Sequence, residues 1–442
     1  EWHTVDQTEA LIIETIDRHR EEIIEFARDI YSHAELGYKE FQTSGKFVKK
    51  MEQLGLRTEK GFAITGVKAY LNEDKKENAS LALLGELDAL RIPEHAFANP
   101  ETNAAHCCGH HAQMAGVFGA ALALTVPEIA EKLDGQVVFF ATPAEEYGEI
   151  EFKNQLREQG KIRYGGGKCE LLRIGAFDDI DLCLTHHIRP GNEILVGSGT
   201  GNGFVSKVIR VLGKASHAAG APEKGVNALS AASLGLQALG LNRETFRDED
   251  CVRVHPIITK GGNLVNVIPD EVVVETLVRG KTIEAFTDAA KKTDRSFKAG
   301  AIAMGAKVEI STLPGYLPTL AEEALPELKH AAEISASDIP VIEASGHAGG
   351  STDVGDVQHL MPVYTFNTGG VKGGLHQIDF EVTDEEEAYI VTAKMFALAA
   401  YGLLKEKAQR SRELVDQYEP VFKNSAEYVE FMEQFDSKEI FE

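Results

Sequence analysis

Residues 80–90 read SLALLGELDAL (Ser80–Leu90), an apolar run that ends in two acids, Glu86 and Asp88. GQVVFFATPAEE (Gly135–Glu146) repeats the plan, closing on Pro143, Glu145 and Glu146, and IDLCLTHHIRPG (Ile180–Gly191) repeats it again with His186 and His187. Short apolar runs bounded by turn residues predict buried strands. Helical stretches such as AQMAGVFGAALALTV (Ala112–Val126) lie between them. That alternation predicts an α/β fold with a mainly parallel sheet and helices on both faces. In such sheets ligands gather beyond the carboxyl ends of the strands, where all three runs place their acids and imidazoles.

Upstream, Ile12, Ile16, Ile23, Phe26 and Ile30 recur at near-helical spacing and predict one amphipathic helix over about Glu9–Ala34. Downstream the texture changes near Gly197. A Gly- and Ser-rich segment leads into a strand, then the helical NALSAASLGLQALGL, strands around Val252–Thr259 and Glu271–Arg279, a helix near Ile283–Met304 and the strand KVEISTL. The order β-α-β-β-α-β predicts a small ferredoxin-like α+β insert, a lid or dimerisation domain, over 197–313. Residues 1–196 and 314–442 then form the two parts of a catalytic domain, the last 60 or so residues reading as helices with a charged tail.

The chain has 442 residues, 43% of them hydrophobic and 26% charged, the balance of an ordinary globular protein. Acids outnumber bases 69 to 45, a net charge of −24, which repels phosphate backbones and anionic lipid. Neither a nucleic-acid nor a membrane partner is expected. No apolar run approaches the roughly 20 residues that span a bilayer, and EWHTVDQTEA lacks a signal-peptide pattern. Five scattered cysteines make no disulfide framework, so a reducing cytoplasmic location is expected.

HCCGHH (His106–His111) packs thiols and imidazoles, the donors that zinc and similar ions select, into one turn ahead of a helix. Cys108 and His110, one residue apart, suit a loop better than a helix face. In AEE, neighbouring side chains diverge, so one carboxylate can bind a metal while the other faces a water. His186, His187 and the late His376 in GGLHQIDFEV add imidazoles from other segments. His217 sits in the turn GKASHAAG, and Asn266 precedes Pro269. Competing motifs fail. GSGTGNG misses GxGxxG, YGGGKC lacks the first Gly and the Ser/Thr of a phosphate loop, and no GxSxG is present. The basic segment Lys153–Lys168 reads as an exposed loop bordering the site.

As an ordered series, ELDAL, HCCGHH, TPAEE, GAFDDIDLCLTHHIRP, GKASHAA, NVIPD with Arg279, and GHAGGSTDVGD resemble metallopeptidase family 20, and within it the amidohydrolase subfamily. That group includes auxin-conjugate, N-acyl-amino-acid and aminobenzoyl-glutamate hydrolases, and GSTDVGDV is nearest the last. The resemblance implies two divalent ions per subunit, zinc or manganese with cobalt as a further option, on Cys108, His110, Glu146, His187 and His376. His187 fits HxxP through HIRP, with His186 as the alternative. It implies Glu145 as general base, and His217 and Asn266 reaching a neighbouring subunit's site to hold the tetrahedral oxygen and the substrate carboxylate, assisted by Arg279. Three departures stand out: His111 and Gln113 after CGH, Glu86 for the first Asp of DMDAL, and a long stretch over Gly148–Gly167.

The expected activity is hydrolysis of an amide in an N-acyl-amino acid or related conjugate, through a metal-activated water. A dipeptidase of the same family, or a non-catalytic relative that binds metal or ligand, are the other readings. Small-molecule substrates and a homodimer or higher homo-oligomer are the partners implied.

Overall fold

The computed structural model describes residues 4–442. Two compact units emerge. The first comprises residues up to Gly199, Leu320–Gly346 and Asp356–Ser425; the second comprises Thr200–Thr319, His347–Gly355 and Ala426–Glu442.

In the first unit the three apolar runs become the strands Ser80–Glu86, Gln136–Thr142 and Leu182–Ile188. The first two are buried at every position, and the third at all but His187. Ser80–Glu86 lies between the other two, parallel to both, and Val363–Thr368 runs parallel to Leu182–Ile188. Among the described residues this sheet has eight strands. Gly66–Leu71 and Arg57–Phe62 extend one side antiparallel, while Ile194–Val196 and Val341–Glu343 complete the other. Strands sandwiched this way carry no polar face, which is why they read as unbroken apolar runs.

The helix His110–Leu124 is buried at all its positions, so small residues rather than a polar stripe define its surface. A Cβ added to Gly116 would stand 2.5 Å from Thr392 Cγ2 on the helix Thr392–Gln417. The span Glu386–Gln417 contains a stretch apolar enough to cross a membrane by length and composition, which amends the expectation from the sequence; 89% of that stretch is buried inside the protein. It is a core helix, and its backbone leaves helical geometry at Lys405–Ala408.

Three other expectations change. The N-terminal helix is two helices, Gln7–Arg18 and Arg20–Ser32, with the break at His19. The segment Lys153–Lys168 is an exposed loop only in part: the helix Ile150–Glu158 covers its first six residues, Lys153 and Lys168 are buried, and residues 158–161 are exposed. Lys153 reaches back to Glu146 O, while Lys168 pairs with Glu86, far off in the chain. Finally, 314–442 does not stay in one unit. The charged tail forms the strand Ser437–Phe441, whose backbone pairs with Lys307–Pro314 of the second unit, and His347–Ala348 pairs with Thr200–Gly201.

Within the second unit, Gly203–Leu212 lies antiparallel between Glu271–Gly280 and Lys307–Pro314. Ile257–Lys260 and Arg253–Val254 both pair with Glu271–Gly280; Pro256 separates them where one strand was expected. The helices Ala228–Asn242 and Ile283–Met304 pack on the sheet, each capped by a side chain: Asn227 accepts from Ser230 N and Thr282 from Ala285 N.

Candidate metal centre

The carboxyl ends of the parallel strands bring together residues far apart in the chain. Gly109 adopts φ 76° and ψ 18°, a left-handed turn that lets the chain swing from Cys108 in the loop to His110 at the first helical position. Ala144 is also left-handed, at φ 48°, and its N–H donates to buried Glu40 Oε1 at 2.8 Å. That turn faces Glu145 and Glu146 toward His110. His376, at φ 63°, is anchored by its own N–H donating to Cys107 O at 2.9 Å.

Two donor groups share Cys108: Cys108 with His110 and His187, and Cys108 with Glu146 and His376, the donor atoms of each lying within 4.8 Å of one another. Cys108 Sγ is 3.3 Å from His187 Nε2, and Glu146 Oε1 is 3.1 Å from His376 Nε2. A third group joins Glu86, His110 and Glu145. His110 Nε2 stands 3.0 Å from Glu86 Oε2, 3.7 Å from Glu145 Oε2 and 3.9 Å from Glu146 Oε1.

The residues around these donors orient them. His110 Nδ1 lies 2.7 Å from Asp88 O and His187 Nδ1 lies 2.7 Å from Ile188 O. Both rings thereby turn Nε2 toward the cluster, as metal-binding histidines do. Glu146 N donates to Asp88 Oδ2 at 2.9 Å, and Lys153 Nζ donates to Glu146 O at 2.7 Å. Lys153 comes from the long stretch over Gly148–Gly167, which therefore braces the Glu146 turn.

Burial and neighbouring charges compete at these donors. Burial, then Glu146, pushes the Cys108 thiol well up, so without a positive charge it holds its proton. Burial opposes charge on Glu146, yet His376 and His110 hold its carboxyl low. Burial likewise opposes charge on His110, but Glu86 and then Cys108 hold the imidazole well up. His110 Nε2 and Glu146 Oε1 are buried without a well-directed hydrogen bond. Thiol, imidazole and carboxylate aimed at common points fit a divalent ion.

Strand alternation separates the two neighbouring histidines. His187 meets Cys108, whereas His186 Nε2 lies 2.7 Å from Thr368 Oγ1 and its ring packs on Phe366. His111, inside the helix, places Nε2 3.0 Å from Tyr389 OH, so it takes no part in the donor groups.

His217, Asn266 and Arg279 are not in this cluster; they belong to the second unit. His217 Nδ1 accepts from Gly220 N at 2.8 Å, and Ala218 N donates to Asn266 O at 3.0 Å, so the two exposed loops that carry His217 and Asn266 lie against each other. Arg279 donates to Ser351 Oγ at 2.7 Å and stacks over Phe204. Lys168 was missed as part of the centre. Its signal was a single cation in the otherwise compact GGGKCELL, yet it is wholly buried, with Nζ 2.7 Å from Glu86 Oε1.

Fold and donor set define a class: an α/β protein whose parallel strands carry a candidate metal centre at their carboxyl ends. Residues 82–401 match the model of peptidase family M20/M25/M40, and the chain belongs to that family. It is similar to mouse (Mus musculus) Xaa-Arg dipeptidase, 27% identical over 89% of this chain and 85% of that one. Similarity to the N-acetyl-L-cysteine deacetylase of Bacillus subtilis (strain 168) is 25% over 88% of this chain and 90% of that one. A solved Bacillus subtilis structure, described as a dinuclear metal-binding peptidase of the M20 family, superposes with a TM-score of 0.61 at 24% identity. It covers 88% of this chain and 99% of that one.

Proposed function

We propose that the protein is a metal-dependent amidohydrolase that releases an amino acid from an N-acyl-amino acid or related conjugate, aminobenzoyl-glutamate-like compounds included. The observation that carries this reading is Cys108 standing in two donor groups at once, the arrangement that two neighbouring ions sharing one ligand need. Cys108, His110 and His187 would hold one ion, and Cys108, Glu146 and His376 the other. When bound, two divalent ions, zinc or manganese, would polarise the scissile carbonyl and lower the pKa of water.

The remaining chemistry falls to the chain. Glu145, 7% exposed, stands 3.7 Å from His110 Nε2, follows directly before Glu146 and belongs to neither Cys108-containing group. It accepts the proton of the attacking water and returns it to the leaving amine, a role worth about 10²–10⁴-fold. His217 and Asn266, on paired exposed loops of the second unit, would serve the site of another subunit. Exposed Ile257, Ile258, Leu264 and Val265 on the same unit support an apolar contact between copies.

A second reading, a dipeptidase, is favoured by the similarity to Xaa-Arg dipeptidase along most of the chain. Mass spectrometry of a pooled panel of N-acyl amino acids, aminobenzoyl-glutamate and dipeptides, with Mn²⁺ or Zn²⁺ and again with chelator, separates the two. Chelator-sensitive release of a free amino acid from an acyl conjugate supports the first reading; release from dipeptides alone supports the second. Turnover that chelator leaves untouched overturns both.

A further inference from the structure

Two of the departures noted in the sequence, Glu86 and Gln113, meet in the structure, and Lys168 meets them there. Glu86 ends the strand Ser80–Glu86, Gln113 stands in the first turn of His110–Leu124, and Lys168 is near the start of Gly167–Arg173. Lys168 Nζ donates to Glu86 Oε1 at 2.7 Å, and Gln113 Nε2 donates to Glu86 Oε2 at 3.0 Å. Gln113 Oε1 accepts from Glu86 N at 3.1 Å. The pair is out of water: the side chains of Lys168 and Glu86 are 0% and 3% exposed.

A buried ion pair offsets its desolvation only when the remaining lone pairs are satisfied. Lys168 takes one carboxylate oxygen, and Gln113 takes one lone pair of the other. What is left of Oε2 faces His110 Nε2 at 3.0 Å, and the far side of that imidazole is already tied to Asp88. Two donors bound to one ion at about 2.0–2.2 Å and near-tetrahedral angles stand roughly 3–3.5 Å apart. Glu86 and His110 keep that spacing, as do Cys108 with His187 at 3.3 Å and Glu146 with His376 at 3.1 Å.

We propose that Glu86 is a further metal ligand of the centre, sharing an ion with His110 through Oε2 while Lys168 holds Oε1 and keeps the carboxylate one-pronged. The assignment rests on the metal-dependent reading above. An added hard oxygen donor shifts the site's preference toward manganese over zinc. Lys168 is then a positioning residue: it fixes the rotamer of Glu86 and balances part of the negative charge that the donors gather.

The test is equilibrium dialysis of the full chain against buffered free Mn²⁺ and Zn²⁺, with bound metal counted by mass spectrometry. Cobalt-loaded protein adds a visible spectrum whose intensity reports coordination number. Glu86→Gln/Lys168→Met removes both buried charges together, and thermal melting checks that it folds. The expected result is a loss of about 10–100-fold in affinity at one of two ion sites, the other unchanged. Lys168→Met alone, which keeps the anion but releases Oε1, is expected to change affinity at that same site and leave the other unchanged. Should the double variant not fold, Glu86→Asp, with the same charge and a shorter reach, is expected to show the same loss at one site. Two ions bound at wild-type affinity with an unchanged cobalt spectrum, in whichever of the two variants folds, overturns the assignment and leaves the metal-dependent reading standing. Wild-type protein that takes up no divalent ion overturns that reading as well.

Discussion

Gly109→Ala tests whether the turn between Cys108 and His110 sets the geometry of the centre. At φ 76° an alanine pays the left-handed penalty, about 1–2 kcal/mol. Its Cβ would also stand 2.0 Å from Ile188 Cγ2, far inside contact distance. Relieving an overlap of that size in a packed core costs about 1–3 kcal/mol. The sum, about 2–5 kcal/mol, predicts a fall of several degrees in melting temperature. Ile188 follows His187 directly, and the turn joins Cys108 to His110, so the overlap pushes three donors apart together. Metal retained after gel filtration is therefore expected to fall along with the melting temperature. Ile188→Ala removes Cγ2 and is costly alone, about 2–5 kcal/mol, but in the double variant the new methyl fills part of the space vacated. The double variant is expected to be more stable than the sum of the single losses predicts. Strict additivity, or a Gly109→Ala protein with wild-type melting temperature and metal content, refutes the reasoning.

Other perturbations separate chemistry from scaffolding. Glu145→Gln is expected to keep its metal content and lose about 10²–10⁴-fold in kcat; turnover near the wild-type rate removes Glu145 from the base role. Co-expressed His217→Ala and Glu145→Gln chains are expected to regain about a quarter of wild-type activity through mixed dimers, whereas each variant alone stays inactive; no recovery in the mixture contradicts sites shared between subunits. Burial raises the Glu322 carboxyl to about 8, above its unfolded value, so its contribution to stability is present in acid and is lost as pH rises from about 4.3 through 8. Glu322→Gln should therefore raise the melting temperature at pH 9 more than at pH 5. An equal change at both, read by calorimetry, argues against a buried neutral carboxyl.

How much was legible from residues alone depends on where each residue's partner lies. Ile283–Met304 carries its own helical period and its own cap at Thr282, and the structure has the helix over that same span. The three apolar runs were readable because a strand covered on both faces needs no alternation. The choice between His186 and His187 was not, because alternation assigns faces only once the helix side of a sheet is known. His186 proves to face Phe366 and Phe396. Lys168 and Glu86 lie far apart in the chain and meet only through packing, so the lysine looked like surface charge. SKEIF (Ser437–Phe441) is mostly exposed and has no apolar face; only its backbone pairing with Lys307–Pro314 makes it a strand.

That last strand has a consequence for synthesis. The second unit is assembled from three separated stretches, and Val308 through Thr312 wait for Phe441 through Ser437 to satisfy their outer backbone groups. During translation the donors of the metal centre, the last of them His376, are all made before that partner strand exists. The edge of Lys307–Pro314 is meanwhile open to any other extended chain. A nascent chain halted short of Ser437 would carry every donor of the centre and still present an unpaired edge to chaperones, proteases and its own copies.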